Sequence, residues 1–257
     1  IVLNNSFIFL GSVINDLKKY KCTGFAGVPS HYQILLKKSQ NFKNTDFPDL
    51  RYVTQAGGKL HNVFIEEFVQ AFPKIDFFVM YGQTEATARL SFLPPNMVSS
   101  KKGSIGKGIP GVTLKIVDKH GKEVGIGEEG ELMAKGDNIM LGYYKEPEET
   151  KKTIKDGWLY TGDIAIEDED GYLYLMARKK EIIKVGGKRV SPKEIEEVIL
   201  SIPEVVDCTI TGIEDELLGE AIKAIIVLNS TMDQQIMKEK ILTRCSEKLS
   251  LYKIPQL

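Results

Sequence analysis

The sequence contains little cysteine and little histidine, with three residues of each type among 257. The cysteines form no CxxC pair, and no histidine stands at a metal-type spacing from them. This scarcity argues against a disulfide framework and against a structural zinc site. It favours a reducing compartment, and we expect the protein to be cytoplasmic.

Signals for membrane insertion and secretion are also missing. No apolar run reaches the roughly 20 residues that a helix needs to cross a bilayer, so we expect no membrane span. The first residues, IVLNNSFIF, lack the basic flank and the small-residue cleavage site of a signal peptide. Residue 1 is Ile rather than Met, and we expect the chain to be a piece of something longer.

Charge of one sign is not in excess, because 34 basic and 35 acidic residues give a formal net charge of −1. This balance argues against a surface built throughout for nucleic acid. The 42% of hydrophobic and 27% of charged residues are typical of a globular protein that buries a core.

Hydrophobic patterning divides the chain into three predicted parts. Over residues 1–95, short apolar runs alternate with amphipathic helical stretches, which predicts an α/β unit with a mostly parallel sheet. In residues 96–177, short strands are separated by glycine-rich turns, which predicts a small β-barrel-like unit. Residues 178–257 combine helices and strands and predict a separate α+β domain.

The best-signalled helix start lies at the beginning of this third part. Ser191 is a predicted N-cap, Pro192 takes the first helical position, and Glu194 has the spacing of a capping-box partner. Removing such a cap is expected to cost about 1 kcal/mol.

The stretch FFVMYGQTEATAR ends a buried strand with a polar cluster. Ligands gather at the carboxyl ends of parallel strands, where Thr84 can donate to a phosphate oxygen and Glu85 offers a hard oxygen to Mg²⁺. Tyr81 could stack on a base. The alternative is structural: Thr84 caps a helix and Glu85 suits the helix dipole.

Several segments occur in the order known from one enzyme superfamily. YGQTEAT resembles the YGxTE motif of the adenylate-forming (AMP-binding) superfamily, which includes acyl-CoA synthetases. Later motifs of that superfamily are similar to GELMAKGDNIMLGYYKEPEET, DGWLYTGDIA, ARKKEIIKVGGKRVSPKEIEEVI and LSLYKIP. Collinear matches across nearly the whole chain are far more specific than any single motif.

The resemblance implies roles for the residues around YGQTE. Thr84 would touch the phosphate, Glu85 would bind Mg²⁺, and Tyr81 with Gly82 would lie against adenine. These roles agree with the phosphate and metal chemistry inferred from the residue types alone.

QAGGKL stands where the superfamily has a GGAPL-like loop. Gly57 and Gly58 would let the backbone approach adenine without a Cβ in the way. Ala56 and Lys59 depart from the family pattern, so the wall shared by adenine and the acyl group is expected to differ. Without the resemblance, the two glycines would indicate only a tight turn.

GFAGVPSHYQILL is similar to the region that lines the acyl pocket in this superfamily. His31 or Tyr32 would gate the substrate carboxylate there, and Ala56 would add to the pocket wall. The alternative is a structural role, in which a polar residue starts a helix beside a core aromatic.

Asp163 and Arg178 are implied to hold the ribose. A carboxylate after a Thr-Gly turn can accept from two ribose hydroxyls, and a guanidinium fork suits neighbouring oxygens on ribose or phosphate. The alternative is an aspartate that caps a turn and an arginine at a solvated strand end.

Six of the twelve residues 178–189 are basic. A solvated face is the usual reason for such a cluster, and nucleic-acid binding is the rival interpretation. Ile182, Ile183 and Val185 interleave as a buried strand rather than as aromatic platforms, so we expect no nucleic-acid partner.

The resemblance assigns this basic segment to a second half-reaction. Lys180 would be the hinge between the large and small domains. Lys184, Gly186 and Gly187 would then face the site, with the glycines leaving room for a pantetheine arm. The positive charge would suit the phosphates of coenzyme A.

Two elements of the superfamily are not found in the sequence. One is the phosphate loop of the form TSGTTGxPKG, which we expect before residue 1; the other is the C-terminal catalytic lysine, which we expect after YKIPQL. Both would stabilise developing charge. We therefore expect the 257-residue chain alone to be nearly inactive.

The predicted function is that of a fragment of an ATP-dependent, AMP-forming carboxylic acid–CoA ligase, with ATP or AMP, Mg²⁺ and coenzyme A as cofactors and co-substrate. One alternative passes the acyl group to a carrier-protein thiol, which is less expected because no carrier-domain serine motif follows. Another alternative only binds AMP or an adenylate. A P-loop kinase is disfavoured, since no GxxxxGK[ST] is present.

Overall fold

The computed structural model describes residues 1–3, 7–39, 41–229 and 233–257. These residues form two compact units: residues 1–161 with 165–175, and residues 162–164 with 176–257. The predicted boundaries near residues 95 and 177 stay a prediction.

The helices are α1 Leu10–Lys19, α2 Pro29–Lys38, α3 Asn62–Ala71, α4 Pro147–Thr153, α5 Pro192–Leu200 and α6 Gln234–Lys248. The strands are β1 Gly24–Gly27, β2 Tyr52–Gln55, β3 Asp76–Tyr81, β4 Ser91–Leu93, β5 Ser104–Gly108, β6 Thr113–Val117, β7 Gly130–Lys135, β8 Ile154–Lys155, β9 Trp158–Glu167, β10 Leu173–Arg178, β11 Ile183–Val185, β12 Lys188–Val190, β13 Val205–Asp215 and β14 Gly219–Leu228. None of the helices within the described ranges has the length and apolar character that crossing a bilayer requires.

The large sheet begins with three parallel strands. Its order is β1-β2-β3-β4-β5-β10-β9-β7-β6, with β8 paired to β9, and β1, β2 and β3 are parallel neighbours. Helices α2 and α3 connect these strands and bury Tyr32 and Phe68 against Phe77. Each such aromatic contributes about 1.5 to 3 kcal/mol by leaving water. The prediction of a mixed α/β fold with a parallel sheet is confirmed.

The predicted barrel-like unit is not found. Among the described residues, the strands after β3 extend the large sheet and form no closed barrel, with antiparallel pairing of β3–β4, β4–β5, β5–β10 and β6–β7. The reason lies in β5, which pairs with β4 on one edge and with β10 on the other. Both of its edges are therefore used to continue one open sheet.

The second unit contains a smaller antiparallel sheet. Its strand order is β12-β11-β14-β13, and helices α5 and α6 accompany it. Ile195 and Ile199 of α5 and Met237, Ile241 and Cys245 of α6 are buried.

The predicted capping box at the start of α5 is wrong. The helix does begin at Pro192, but the Ser191 side chain makes no cap hydrogen bond. Its hydroxyl donates instead to the carbonyl of Met176. The Glu194 carboxylate accepts from Lys253 Nζ at 2.6 Å. Both side chains that the local pattern assigned to the cap therefore form hydrogen bonds with residues distant in the sequence.

Candidate functional site

The loops after β2 and β1 lie at one edge of the parallel sheet. Gly57 has φ +83°, and a Cβ there would lie 3.3 Å from Val28 Cγ1. A Cβ on Gly58 would lie 3.4 Å from Pro29 Cγ, at the start of α2. Gln55 Nε2 donates to the Gly58 carbonyl at 2.6 Å. The glycines thus form a tight turn, as the structural alternative held, and both are exposed to a ligand.

His31 and Tyr32, the two predicted gate residues, differ in exposure. The His31 ring is half-buried and stacks on Phe7 with a centroid distance of 4.0 Å, and burial lowers its pKa. His31 is therefore neutral near pH 7. Tyr32 is completely buried and donates to the Thr54 carbonyl at 2.7 Å, so it is a core residue. Ala56 lies beside these loops at the end of β2, half-buried.

The segment after β3 is a strained turn. Thr87 and Ala88 have φ values of 52° and 70°, which cost about 1 kcal/mol or more each in a residue with a side chain. A Cβ on Gly82 would lie 2.4 Å from the Ala88 carbonyl oxygen. Gly82 is therefore required because the returning chain crosses directly over it.

Thr84 and Glu85 occupy the tip of this turn. They begin a 3₁₀ helix of three residues, Thr84–Ala86, whose N-cap Gln83 makes no side-chain cap bond. So short an element neither needs Thr84 as a cap nor offers Glu85 an extended dipole. Thr84 is exposed and Glu85 is half-buried, so both can reach a ligand.

A distant segment clamps the turn. Asn138 Nδ2 donates to the carbonyls of Ala86 at 3.1 Å and Arg89 at 2.9 Å. The Met140 amide donates to the Glu85 carbonyl at 2.8 Å. These bonds hold the backbone before and after the strained residues Thr87 and Ala88. Each bond contributes about 1 kcal/mol, which offsets the cost of the turn.

Tyr143 completes the clamp through its side chain. Its hydroxyl donates to Glu85 Oε1 at 2.6 Å, although 58 residues separate the two. This hydrogen bond raises the pKa of Tyr143, because the neutral phenol is the donor that the carboxylate stabilises. The clamp segment, residues 138–143, lies within the stretch GELMAKGDNIMLGYYKEPEET, which resembles a superfamily motif. The resemblance assigned no role to any residue of the clamp segment.

Tyr81 is placed differently from what stacking on a base would need. Its ring is 8% exposed and belongs to a core cluster with Leu90 and Leu132. Its hydroxyl lies 3.4 Å from Gln83 Nε2, which also donates to the Thr161 carbonyl. The ring therefore supports the turn from inside, and its predicted contact with adenine stays a prediction.

Asp163 and Arg178 come together in the second unit. Arg178 Nε donates to Asp163 Oδ1 at 3.0 Å, from the end of β10 to the middle of β9. Asp163 is buried and Arg178 is half exposed. The pair can present a carboxylate and a guanidinium to vicinal oxygens.

The basic segment forms a turn and a hairpin. Lys180 is exposed in the turn after β10, where the Glu181 amide donates to the Arg178 carbonyl. Gly186 and Gly187, at φ 54° and 78°, form the two-residue loop between β11 and β12. Such a loop requires positive φ at both positions, which by itself explains both glycines.

Lys184 lies directly opposite Arg189 in this hairpin, and both side chains are exposed. Neither has an ion-pair partner within the described ranges. Two like charges in register destabilise a hairpin. The hairpin therefore carries two neighbouring positive side chains on its exposed face, while the Lys184 amide donates to Glu220 Oε2 at 2.7 Å.

Comparison with known proteins identifies the family. The model described as AMP-binding enzyme matches residues 2–144, and the model described as AMP-binding enzyme C-terminal domain matches residues 194–256. A long-chain-fatty-acid–CoA ligase of Salmonella typhimurium is 36% identical over 244 residues, which cover 95% of this chain and 42% of that protein.

Two solved structures, of a CoA ligase and a coenzyme A synthetase, are also similar to the chain. The anthranilate CoA ligase AuaEII in complex with anthranoyl-AMP superposes with a TM-score of 0.91 and 28% identity, covering 99% of this chain and 49% of that one. An o-succinylbenzoate coenzyme A synthetase from Bacillus subtilis, in complex with ATP and magnesium ion, gives a TM-score of 0.81 and 29% identity over 96% of this chain and 49% of that one. The chain thus spans less than half the length of each of these three proteins. It belongs to the AMP-binding enzyme family.

Proposed function

We propose that the chain supplies the nucleotide, metal and thioester-forming elements of an AMP-forming carboxylic acid–CoA ligase. The observation that carries this proposal is the clamped turn with Thr84 and Glu85, which follows β3 and lies at the sheet edge where the Gly57-Gly58 turn follows β2. A strained turn held by a distant segment is typical of a functional site.

Magnesium fits the donor set at Glu85. Among the described residues no group of three or more metal-ligating side chains occurs, so a closed protein cage of the zinc type is not available there. One carboxylate combined with phosphate oxygens and water is how Mg²⁺ is usually bound. Glu85 would hold the ion, which when bound neutralises charge on the phosphates.

The nucleotide would lie along the sheet edge. Gly57, Gly58 and Gly82 would line the adenine side, and the exposed Thr84 hydroxyl would donate to a phosphate oxygen. Asp163 would accept from the ribose hydroxyls, oriented by its hydrogen bond from Arg178. The acid would enter beside His31 and Ala56.

In the first half-reaction, an oxygen of the substrate carboxylate attacks the α-phosphorus of ATP, and the bond from that phosphorus to pyrophosphate breaks. Thr84 orients the phosphate for this in-line displacement. The product is an acyl-adenylate. The Thr84 hydroxyl would be this chain's donor to the charge that develops on the phosphate oxygens.

In the second half-reaction, a thiol attacks the acyl carbon and AMP leaves. The segment from Lys180 onward would reorient and present the hairpin of Lys184, Gly186 and Gly187. The exposed charges of Lys184 and Arg189 favour coenzyme A, which carries more phosphates than the phosphopantetheine arm of a carrier protein, and the relatives' names as CoA ligases support the same acceptor. We place this reaction in the cytoplasm.

Lys180→Pro is expected to slow thioester formation at least tenfold more than adenylate formation. Proline fixes φ and is disfavoured at the third position of the 178–181 turn, which residue 180 occupies. A change of backbone conformation at this residue is therefore blocked. Single-turnover assays of each half-reaction provide the measurement. Lys180→Ala removes the same charge but leaves φ free, and equal losses in both half-reactions for Lys180→Pro would contradict the hinge.

The function itself is tested by pyrophosphate chemistry. We expect the natural gene product that contains this chain to catalyse carboxylic acid-dependent ATP–pyrophosphate exchange, and a panel of acids would identify the substrate. The 257-residue chain alone should show almost none. Binding of AMP without any exchange by the gene product would favour the binding-only alternative.

A further inference from the structure

Glu85 is held by a neutral donor rather than by a cation. Its Oε1 accepts from the Tyr143 hydroxyl, and no lysine or arginine forms an ion pair with it in the part of the chain that the structure describes. A cation would cancel the negative charge of the carboxylate. A phenol fixes the carboxylate and leaves that charge available to a ligand.

Tyr143 is itself anchored from behind. Its amide donates to Thr150 Oγ1 at 2.9 Å, and that hydroxyl donates to the Glu146 carbonyl at 2.9 Å, just before α4. A Cβ on Gly142 would lie 2.7 Å from Thr150 Cγ2. The backbone that carries the phenol is thus fixed to a helix end, so the hydroxyl reaches Glu85 from a defined direction.

The contact is poorly explained by stability alone. The Tyr143 side chain is 37% exposed, so its hydroxyl would find water if the bond to Glu85 were absent. Exchange of a water contact for one exposed hydrogen bond contributes little to folding. Orientation of the carboxylate is the property that the bond does change.

We propose that Tyr143 is a positioning residue for the metal-binding carboxylate of Glu85. The hydroxyl holds Oε1 and sets the plane of the carboxylate, and Oε2 would remain to hold Mg²⁺. Glu85 is thereby preorganised before nucleotide arrives. This inference rests on the proposed function, because it takes Glu85 as the ligand of Mg²⁺.

The test is nucleotide binding measured by calorimetry on the natural gene product, without a carboxylic acid so that no turnover occurs. ATP is titrated once with Mg²⁺ and once with EDTA. Tyr143→Phe is expected to weaken binding with Mg²⁺ about tenfold and to leave binding in EDTA unchanged. Tyr144→Phe removes a hydroxyl from the neighbouring, more exposed tyrosine and should behave as wild type.

A double-mutant cycle locates the effect. In a Glu85→Gln background, Tyr143→Phe should have no further effect on binding, since the group it orients is gone. Equal binding by Tyr143→Phe and Tyr144→Phe would overturn the inference. Wild-type binding that does not depend on Mg²⁺ would instead overturn the proposed role of Glu85, and the inference with it.

Thermal unfolding of each variant is measured first. If Tyr143→Phe does not fold, Thr150→Val provides a second probe, because it loosens the anchor of Tyr143 and keeps the phenol. It should weaken Mg²⁺-dependent binding about threefold, a smaller effect than direct removal of an orienting partner. No change in that variant would then count against the inference.

Discussion

Glu85→Gln is expected to lower acyl-adenylate formation about a thousandfold, which corresponds to about 4 kcal/mol of lost charge stabilisation. Glutamine has nearly the same shape, and its backbone can still accept from the Met140 amide at 2.8 Å. The turn should therefore persist while the charge that holds the cation is lost. The expected defect is in chemistry and metal use rather than in folding.

The measurement is ATP–pyrophosphate exchange by the natural gene product over a range of Mg²⁺ concentrations. Glu66→Gln is a matched control, since Glu66 is a half-buried glutamate of the same unit that pairs with Lys102. That variant should keep exchange within twofold of wild type, because an ion pair that is largely open to solvent contributes about 1 kcal/mol or less. Exchange by Glu85→Gln at the level of this control would contradict the metal-binding role.

Gly106→Ala is expected to destabilise the protein by about 4 kcal/mol or more. Gly106 has φ +80°, and a Cβ there would lie 1.8 Å from the Phe92 carbonyl oxygen and 2.1 Å from its carbon. Neither atom can move aside without breaking the β4–β5 pairing, because both belong to the backbone of β4. The substitution is therefore expected to disrupt the β4–β5 pairing, through which the large sheet continues beyond β4.

Gly111→Ala separates conformational strain from collision. Gly111 has φ +83°, but no atom lies within 4 Å of the position that its Cβ would take. Strain alone should cost about 1 to 2 kcal/mol. Urea unfolding of both variants gives the comparison. A loss for Gly106→Ala no larger than that for Gly111→Ala would show that the sheet absorbs the collision.

The parallel sheet and its edge could be predicted from the sequence because local residue patterns determine them. Short apolar runs separated by amphipathic helices predicted β1 to β3, and the strand-end rule then predicted where Gly57 and Glu85 lie. The hairpin of Gly186 and Gly187 follows from local turn chemistry in the same way, although the sequence had suggested another use for these glycines.

Features that depend on partners distant in the sequence could not be predicted from it. Ser191 had every local sign of a cap, but the Met176 carbonyl is a better partner in the folded chain. The strands after β4 had the pattern of a small barrel, and only the pairing of β5 on both edges turns them into an open extension. Tyr143 lies 58 residues from Glu85, and no periodicity in a sequence reports such a contact.

The position of β5 has a consequence during biosynthesis. Ser104 in β5 bonds to Leu173, the first residue of β10, across 69 positions of sequence. At about 5 to 20 residues per second, the ribosome completes β10 roughly 3 to 14 seconds after β5 emerges. Throughout that interval β5 presents an unpaired edge, which is a template for association between nascent chains. Translation speed and chaperone supply should therefore influence the yield of this protein more strongly than that of one whose sheet neighbours are adjacent in sequence.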